Sequence, residues 1–225
     1  MGYHIDTGLI KEKFNSDCDC PLCEIQKVVE EQFLHEFLND AVMEDNTRIL
    51  VGKLGFCQKH YDMLINRQNK LSVALQIRTR LDKISSLYSE LKNTRQADKV
   101  IKELEKGTNS CAICEYVNES MVKYFKTIAQ MFVKEKSFLK TLLSSKGFCS
   151  HHYAQLLKYS SYAGIIKNDY VNILSIVESR AIEKLKVDLK AFCDKHDYRN
   201  AFVPLGDAEH ALDNARTRLY GKKFD

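Results

Sequence analysis

The sequence predicts an all-α fold, a helical bundle built from two tandem repeats, and three observations predict it. Turn formers are scarce: 225 residues carry nine glycines and two prolines, Pro21 and Pro204, too few for the tight turns of an all-β chain of this length. Apolar residues recur at spacings of three and four over long stretches, the period of a helix with one buried face. Two distant segments also nearly duplicate each other, as in a chain built from a repeated supersecondary unit.

The duplication is read from short blocks. Cys20-Pro21-Leu22-Cys23-Glu24 is matched by Cys111-Ala112-Ile113-Cys114-Glu115. The stretch from Gly55-Phe56-Cys57 through His60-Tyr61 to Leu64 is matched by Gly147-Phe148-Cys149 through His152-Tyr153 to Leu156, with six identities in ten residues. The offset is 91 residues at the first cysteine and 92 at the third, so one residue of slack aligns the copies. Residues 1–107 are read as the first repeat and 108–225 as the second with a C-terminal helix, packed as one compact domain.

Each copy predicts the same elements in order. A helix follows Cys-x-x-Cys, its stripe Ile25, Val28, Val29, Phe33 and Phe37 in the first copy and Val117, Met121, Tyr124, Phe125, Ile128 and Phe132 in the second. Cys-x-x-His opens a second helix, and a longer one follows. In the first copy the longer helix starts near Leu71 with Ile77, Leu81, Ile84, Tyr88 and Leu91 as its core stripe, is interrupted at Asn93-Thr94-Arg95-Gln96 by a kink or cap, and continues through Ala97, Ile101 and Leu104. Gly107 and Asn109-Ser110 mark the boundary between repeats. In the second copy Tyr170, Leu174, Val177, Ala181, Leu185, Leu189 and Phe192 form the stripe. A last helix from Asp207 to about Tyr220 carries Ala208, Ala211, Leu212, Ala215 and Leu219, and Gly221 stops it.

Composition narrows the function classes. Charged residues make up 28% and hydrophobic ones 44%, an ordinary soluble balance. The net charge of +4 comes from Lys and Arg interleaved with Asp and Glu, a solvated surface rather than a nucleic-acid footprint; Arg78, Arg80 and Lys83 share a helix with interspersed acids. Met1-Gly2-Tyr3-His4-Ile5-Asp6 has no charged leader before an apolar core, and Asp6 stands where a myristoylation motif needs Ser or Thr. No run approaches the roughly 18 apolar residues of a membrane span. A cytoplasmic location without membrane contact is expected. Eight cysteines there point to metal or thiol chemistry rather than disulfides.

Six of those cysteines and two histidines fall where metal ligands would. Cys-x-x-Cys or Cys-x-x-His brings two soft ligands to one ion from a tight turn or the first turn of a helix, and zinc takes four such ligands in a tetrahedron. The expected sets are Cys20, Cys23, Cys57 and His60 in the first copy, and Cys111, Cys114, Cys149 and His152 in the second, with the half-sites paired within each repeat. The intervening gaps of 33 and 34 residues fit a helical hairpin rather than a DNA-reading finger. Two zinc ions per chain are expected, with an iron–sulfur cluster as the alternative. His151 aligns with Lys59 and is a bystander. Cys193 is read as a small buried residue ending an apolar stripe, with a third metal from Cys18, Cys193 and His196 as the rival reading.

These residues resemble an uncharacterised bacterial family, catalogued as a domain of unknown function and common in anaerobic Firmicutes. The resemblance runs through Tyr3-His4-Ile5, Cys20-Pro21-Leu22-Cys23, Met43-Glu44 with Arg48, Gly55-Phe56-Cys57, Asn69, Leu71, Ala74-Leu75, Thr79, the second pair of motifs and Asp197-Tyr198-Arg199. The family often has Pro after Met-Glu, where this chain has Asp45. It implies no activity. With no Ser-His-Asp order, P-loop, GxGxxG or paired-carboxylate motif, a non-enzymatic binding or regulatory protein is expected, its zinc ions stapling helices around a site for a protein or small-molecule partner. The alternatives are an enzyme with a pocket between the repeats and a zinc- or redox-responsive regulator. Met43–Arg48 and Asp197–Asn200 are the polar segments read as candidate ligand contacts.

Overall fold

The computed structural model describes residues 7–39, 44–195, 197–200, 202 and 204–222. Among the described residues there are eleven α-helices and no strand. They are α1 (Thr7–Asn15), α2 (Pro21–Asn39), α3 (Asp45–Leu54), α4 (Gln58–Ile65), α5 (Lys70–Ser89), α6 (Thr94–Thr108), α7 (Ala112–Lys134), α8 (Lys136–Ser144), α9 (Ser150–Lys158), α10 (Lys167–Asp194) and α11 (Ala211–Tyr220). Short 3-10 turns occupy Ser160–Ile166, Tyr198–Asn200 and Gly206–His210. None of the described helices is long and apolar enough to cross a membrane.

The chain forms two compact units, and their boundaries fall inside helices rather than at residue 107. Met1–Lys27 and Met121–Asp225 make the terminal unit, and Val28–Ser120 makes the central unit. The sequence duplication therefore does not cut the chain where the compact units do.

In the terminal unit α1 packs on α8, and α10 packs on α8 and α11. Phe14 stands between Phe138 and Phe148, with ring centres 5.5 and 6.1 Å away. Tyr170, Leu174 and Val177 of α10 are fully buried, as their stripe predicts. Leu174 and Val177, removed from water, each contribute roughly 1.5–3 kcal/mol.

In the central unit α5 packs on α3 and α4. Phe33 stacks on Tyr116 at 4.0 Å, and Phe37 meets Phe56 edge-on at 5.4 Å. Ser72 and Asn69 donate to the Leu38 carbonyl at 3.0 and 2.6 Å, tying the start of α5 to the end of α2.

The long helix of the first copy is interrupted where expected, by a cap: Asn93 starts α6 by accepting from the Gln96 N–H at 3.0 Å. Three expectations need correction here. The stripe expected to be core on α5 is largely exposed, Leu81 at 58% and Tyr88 at 54%, while the helix turns Ser72, Val73 and Gln76 inward. Periodicity identifies an amphipathic helix but not what covers it. Leu212 and Leu219 of α11 are likewise exposed, and Ala208 and Ala211 alone of that stripe are buried. Cys193 is exposed.

Candidate metal centres

Each of the four cysteine motifs sits at a helix start. Cys57 and Cys149 are the extended N-cap residues of α4 and α9, and their carbonyls accept from Tyr61 and Tyr153 at 2.9 and 2.8 Å. That places His60 and His152 in the first turn, three residues on, facing back to their cysteines. Cys20 and Cys111 directly precede α2 and α7, so Cys23 and Cys114 fall in the first turn of those helices. Helix N-termini carry unsatisfied N–H groups and the positive end of the macrodipole, which favour thiolate.

The glycine before each Phe-Cys is required by the backbone. Gly55 has φ +67° and Gly147 φ +101°, a region that side chains with a Cβ rarely adopt. Each is also backed by an arginine: Arg80 lies against Gly55, and Arg218 against Gly147.

All eight predicted ligand residues come together, in two groups. One is Cys20, Cys23, Cys149 and His152 in the terminal unit; the other is Cys57, His60, Cys111 and Cys114 in the central unit. Within each group the four ligand atoms lie within 4.8 Å of one another and could hold a metal ion. The pairing thus joins the Cys-x-x-Cys of one copy to the Cys-x-x-His of the other, against the expectation of pairing within a copy.

Helix lengths give the reason. α2 runs 19 residues, about 28 Å, away from Cys20, and α3, at ten residues, spans only about 15 Å. The Gly-Phe-Cys block after α3 accordingly packs at Phe37, near the far end of α2. In the second copy α7 spans about 34 Å and α8 about 14 Å, and His152 packs on Phe125, well along α7 from Cys111.

In the terminal group all four ligands are buried. His152 Nδ1 lies 3.5, 3.5 and 3.2 Å from the sulfurs of Cys20, Cys23 and Cys149, and Cys23 lies 3.8 Å from Cys149. His152 Nε2 faces the Gln26 side-chain oxygen at 3.0 Å. The chain after α11 closes over the group: the Lys222 N–H donates to Cys23 Sγ at 3.4 Å, and Gly221 faces both Cys23 and Cys149.

In the central group Cys57 and Cys114 are half-buried. His60 Nδ1 lies 3.2, 3.2 and 3.3 Å from Cys57, Cys111 and Cys114, and Cys57 lies 3.9 Å from Cys114. His60 Nε2 donates to the buried Glu30 carboxylate at 2.7 Å, which Lys59 also reaches at 2.6 Å.

Three sulfurs this close cannot all ionise without a counter-charge, and their proton affinities divide accordingly. In the central group burial and the neighbouring Cys111 and Cys57 push Cys114 up to about 12. Cys111 is drawn down to about 6 against its own burial, chiefly by His60. His60, against the effect of burial, is raised to about 10 by Cys111 and Glu30. In the terminal group burial pushes Cys20 well up, the hydrogen bond with Cys149 raises Cys23 to about 12, and Cys149 is drawn far down by Cys20, Cys23 and His152. A dication at the centre of either group would supply the charge that lets all three thiolates form together.

The sequence reading missed Gln26, Glu30 and the Lys222 backbone, which carry no motif and reach the groups only through the fold. Cys18 and Cys193 join neither group, and His196 lies outside the described residues. The two polar segments resolve into local pairs. Asp45–Arg48 is the exposed first turn of α3, with Arg48 3.8 Å from Asp45, and Met43 lies outside the described residues. Arg199 grips Asp197 through its side chain, Nε donating to Oδ1 at 3.0 Å and to Oδ2 at 3.1 Å and Nη2 to Oδ2 at 2.5 Å. Arg80 turns inward and donates to the Gly52 and Lys53 carbonyls at the end of α3.

No curated protein and no solved structure matches the chain. One family model does, over residues 1–225: the chain belongs to the family described as a family of unknown function, DUF6062.

Proposed function

We propose that the protein is a zinc-stapled helical binding protein of the cytoplasm, in which each unit is held by one structural Cys3His zinc and the ions take no part in chemistry. The observation that carries this reading is the size and closure of the two ligand groups. A tetrahedral zinc with Zn–S of about 2.3 Å and Zn–N of about 2.0–2.1 Å sets sulfur–sulfur edges near 3.8 Å and sulfur–nitrogen edges near 3.6 Å. The groups offer 3.8–3.9 Å and 3.2–3.5 Å. A two-iron cluster holds its ligand pairs farther apart across bridging sulfides, so the iron–sulfur alternative has less support.

Four protein ligands leave no position for a reacting water, which speaks for a structural ion. Glu30 and Gln26 on the outer nitrogen of each histidine fix its tautomer and direct Nδ1 at the ion. None of the eight cysteines forms a disulfide, in keeping with a reducing compartment. The magnitudes decide what holds the units: a surface ion pair such as Lys11–Glu135 contributes at most about 1 kcal/mol, whereas a structural zinc supplies roughly 10–16 kcal/mol of folding energy.

Elemental analysis of protein purified without added metal tests the reading. Two zinc ions per chain are expected; iron with acid-labile sulfide would replace zinc by a cluster.

A further inference from the structure

The two Gly-Phe-Cys blocks are built alike but differ in charge. In the terminal unit Arg218 behind Gly147 donates to the Phe148 and Lys146 carbonyls at 2.5 and 2.7 Å and lies 3.5 Å from the Glu178 carboxylate. Glu178 also accepts the Phe148 N–H at 2.9 Å. A carboxylate thus takes both the guanidinium charge and the amide behind the glycine.

The central unit has the donors without the carboxylate. Arg80 behind Gly55 spends Nη1 on the Gly52 and Lys53 carbonyls and makes no ion pair among the described residues. The Phe56 N–H has no acceptor among them. Beside both lies a cavity of about 140 Å³, lined by Gln76, Arg80 and Phe56 and walled by Val51, Ile77 and Leu81. Gln76 is only 3% exposed, yet its side-chain amide makes no hydrogen bond with any described residue. Capping α3 accounts for Arg80 Nη1; it does not account for a glutamine that lines the cavity with no protein partner for its amide, nor for the remaining guanidinium donors.

We propose that this cavity binds a small organic carboxylate, whose oxygens take the place that Glu178 fills in the terminal unit and whose short apolar body lies against Val51, Ile77 and Leu81. Arg80 and the Phe56 N–H donate to the carboxylate, and the Gln76 amide orients it. At about 30 Å³ per water-sized group, the space suits a ligand of about five non-hydrogen atoms. An inorganic anion would leave the apolar walls unused. The inference deepens the binding half of the proposed function and rests on it.

The test is a titration of full-length, metal-containing, 15N-labelled protein with acetate, propionate and butyrate, each beside its uncharged amide. The acids are expected to shift the Phe56 amide and Arg80 Nε–H signals saturably. The matched amides should bind at least about tenfold more weakly, since a charge-assisted hydrogen bond is lost. Arg80→Gln should abolish the shifts, and Gln76→Leu, which leaves the cap of α3 untouched, should weaken binding about tenfold. The site is overturned if no acid gives a saturable shift, if acid and amide act alike, or if Gln76→Leu binds as tightly as the parent. Should Arg80→Gln fail to fold, the Gln76→Leu result decides. Zinc content measured on the same sample keeps the two readings apart: no binding with two zinc ions present sinks only the carboxylate site, while binding without zinc sinks only the metal assignment.

Discussion

The two candidate metal centres share a ligand set and a common backbone frame, and differ in cover and in charge. In the terminal unit the four ligands are buried and the chain after α11 lies over two of the sulfurs, while Gln26, a neutral amide, holds the histidine. In the central unit two sulfurs are half-exposed, and a buried carboxylate, Glu30, holds the histidine with Lys59 as its counter-charge. One centre is protected by cover and the other by charge. A ligand motif fixes which side chains can meet at an ion, whereas the surrounding shell fixes how easily that ion would leave.

The largest effect tests the pairing on which that comparison depends. Cys20→Ser and Cys149→Ser are expected to lose one zinc each, and the same one, so the double variant retains a single ion. Cys20→Ser with Cys57→Ser should retain none. A structural zinc is worth roughly as much as the whole stability of a domain, so each single variant should also lose much of the helical signal of its unit. Zinc per chain and far-ultraviolet circular dichroism measure both. One remaining zinc in the Cys20/Cys57 double would restore pairing within a copy and dissolve the contrast between the units.

A smaller effect sharpens the comparison. Under a chelator the central zinc should leave first, by about tenfold, because its half-exposed thiolates are open to attack and protonation. Glu30→Gln should widen that gap, lowering the affinity of the central centre roughly 10–100-fold, while Gln26→Leu should affect only the terminal one and by less. Mass spectrometry of thiols alkylated during metal release tells the centres apart. Early labelling of Cys20, Cys23 and Cys149 would reverse the roles assigned to cover and charge.

The eight residues of the two groups were legible because metal ligation demands particular residue types at a local spacing, and that spacing survives any tertiary arrangement. Pairing was not legible. It depends on how far α2 and α7 carry the chain before it turns back, and α3 and α8 have no signal as distinctive as Cys-x-x-Cys. The helical class followed from the period of three and four, yet the same period misplaced Leu81 and Tyr88 in the core, since a helix shows its apolar face whether or not anything covers it. Arg80 read as one of several surface cations on α5. Only the neighbouring Gly55 and Gly107, small enough to admit a guanidinium, could have hinted that it turns inward. Glu30 and Gln26 are ordinary polar positions of an amphipathic helix until the fold sets a histidine beside each.

The smallest effect concerns the two cysteines outside both centres, and here the structure reverses the order that the sequence suggests. The polar run Asn15-Ser16-Asp17-Cys18-Asp19 makes Cys18 look open, but it is half-buried, its sulfur 3.4 Å from Ser16 Oγ and 3.6 Å from the Lys13 carbonyl. Burial also pushes its thiol up, which reduces the reactive thiolate at neutral pH. Cys193, near the end of α10, is exposed. With limiting reagent on native protein, Cys193 should therefore be labelled several-fold faster than Cys18. Both should react before any of the six ligand cysteines, whose sulfurs the ions would shield. Raising the pH should speed the labelling of Cys18, because more of its raised thiol is then ionised. Alanine at both positions should leave two zinc ions in place. Faster labelling of Cys18 would mean that its turn opens in solution, and loss of an ion from the double alanine variant would place one of these sulfurs on a metal.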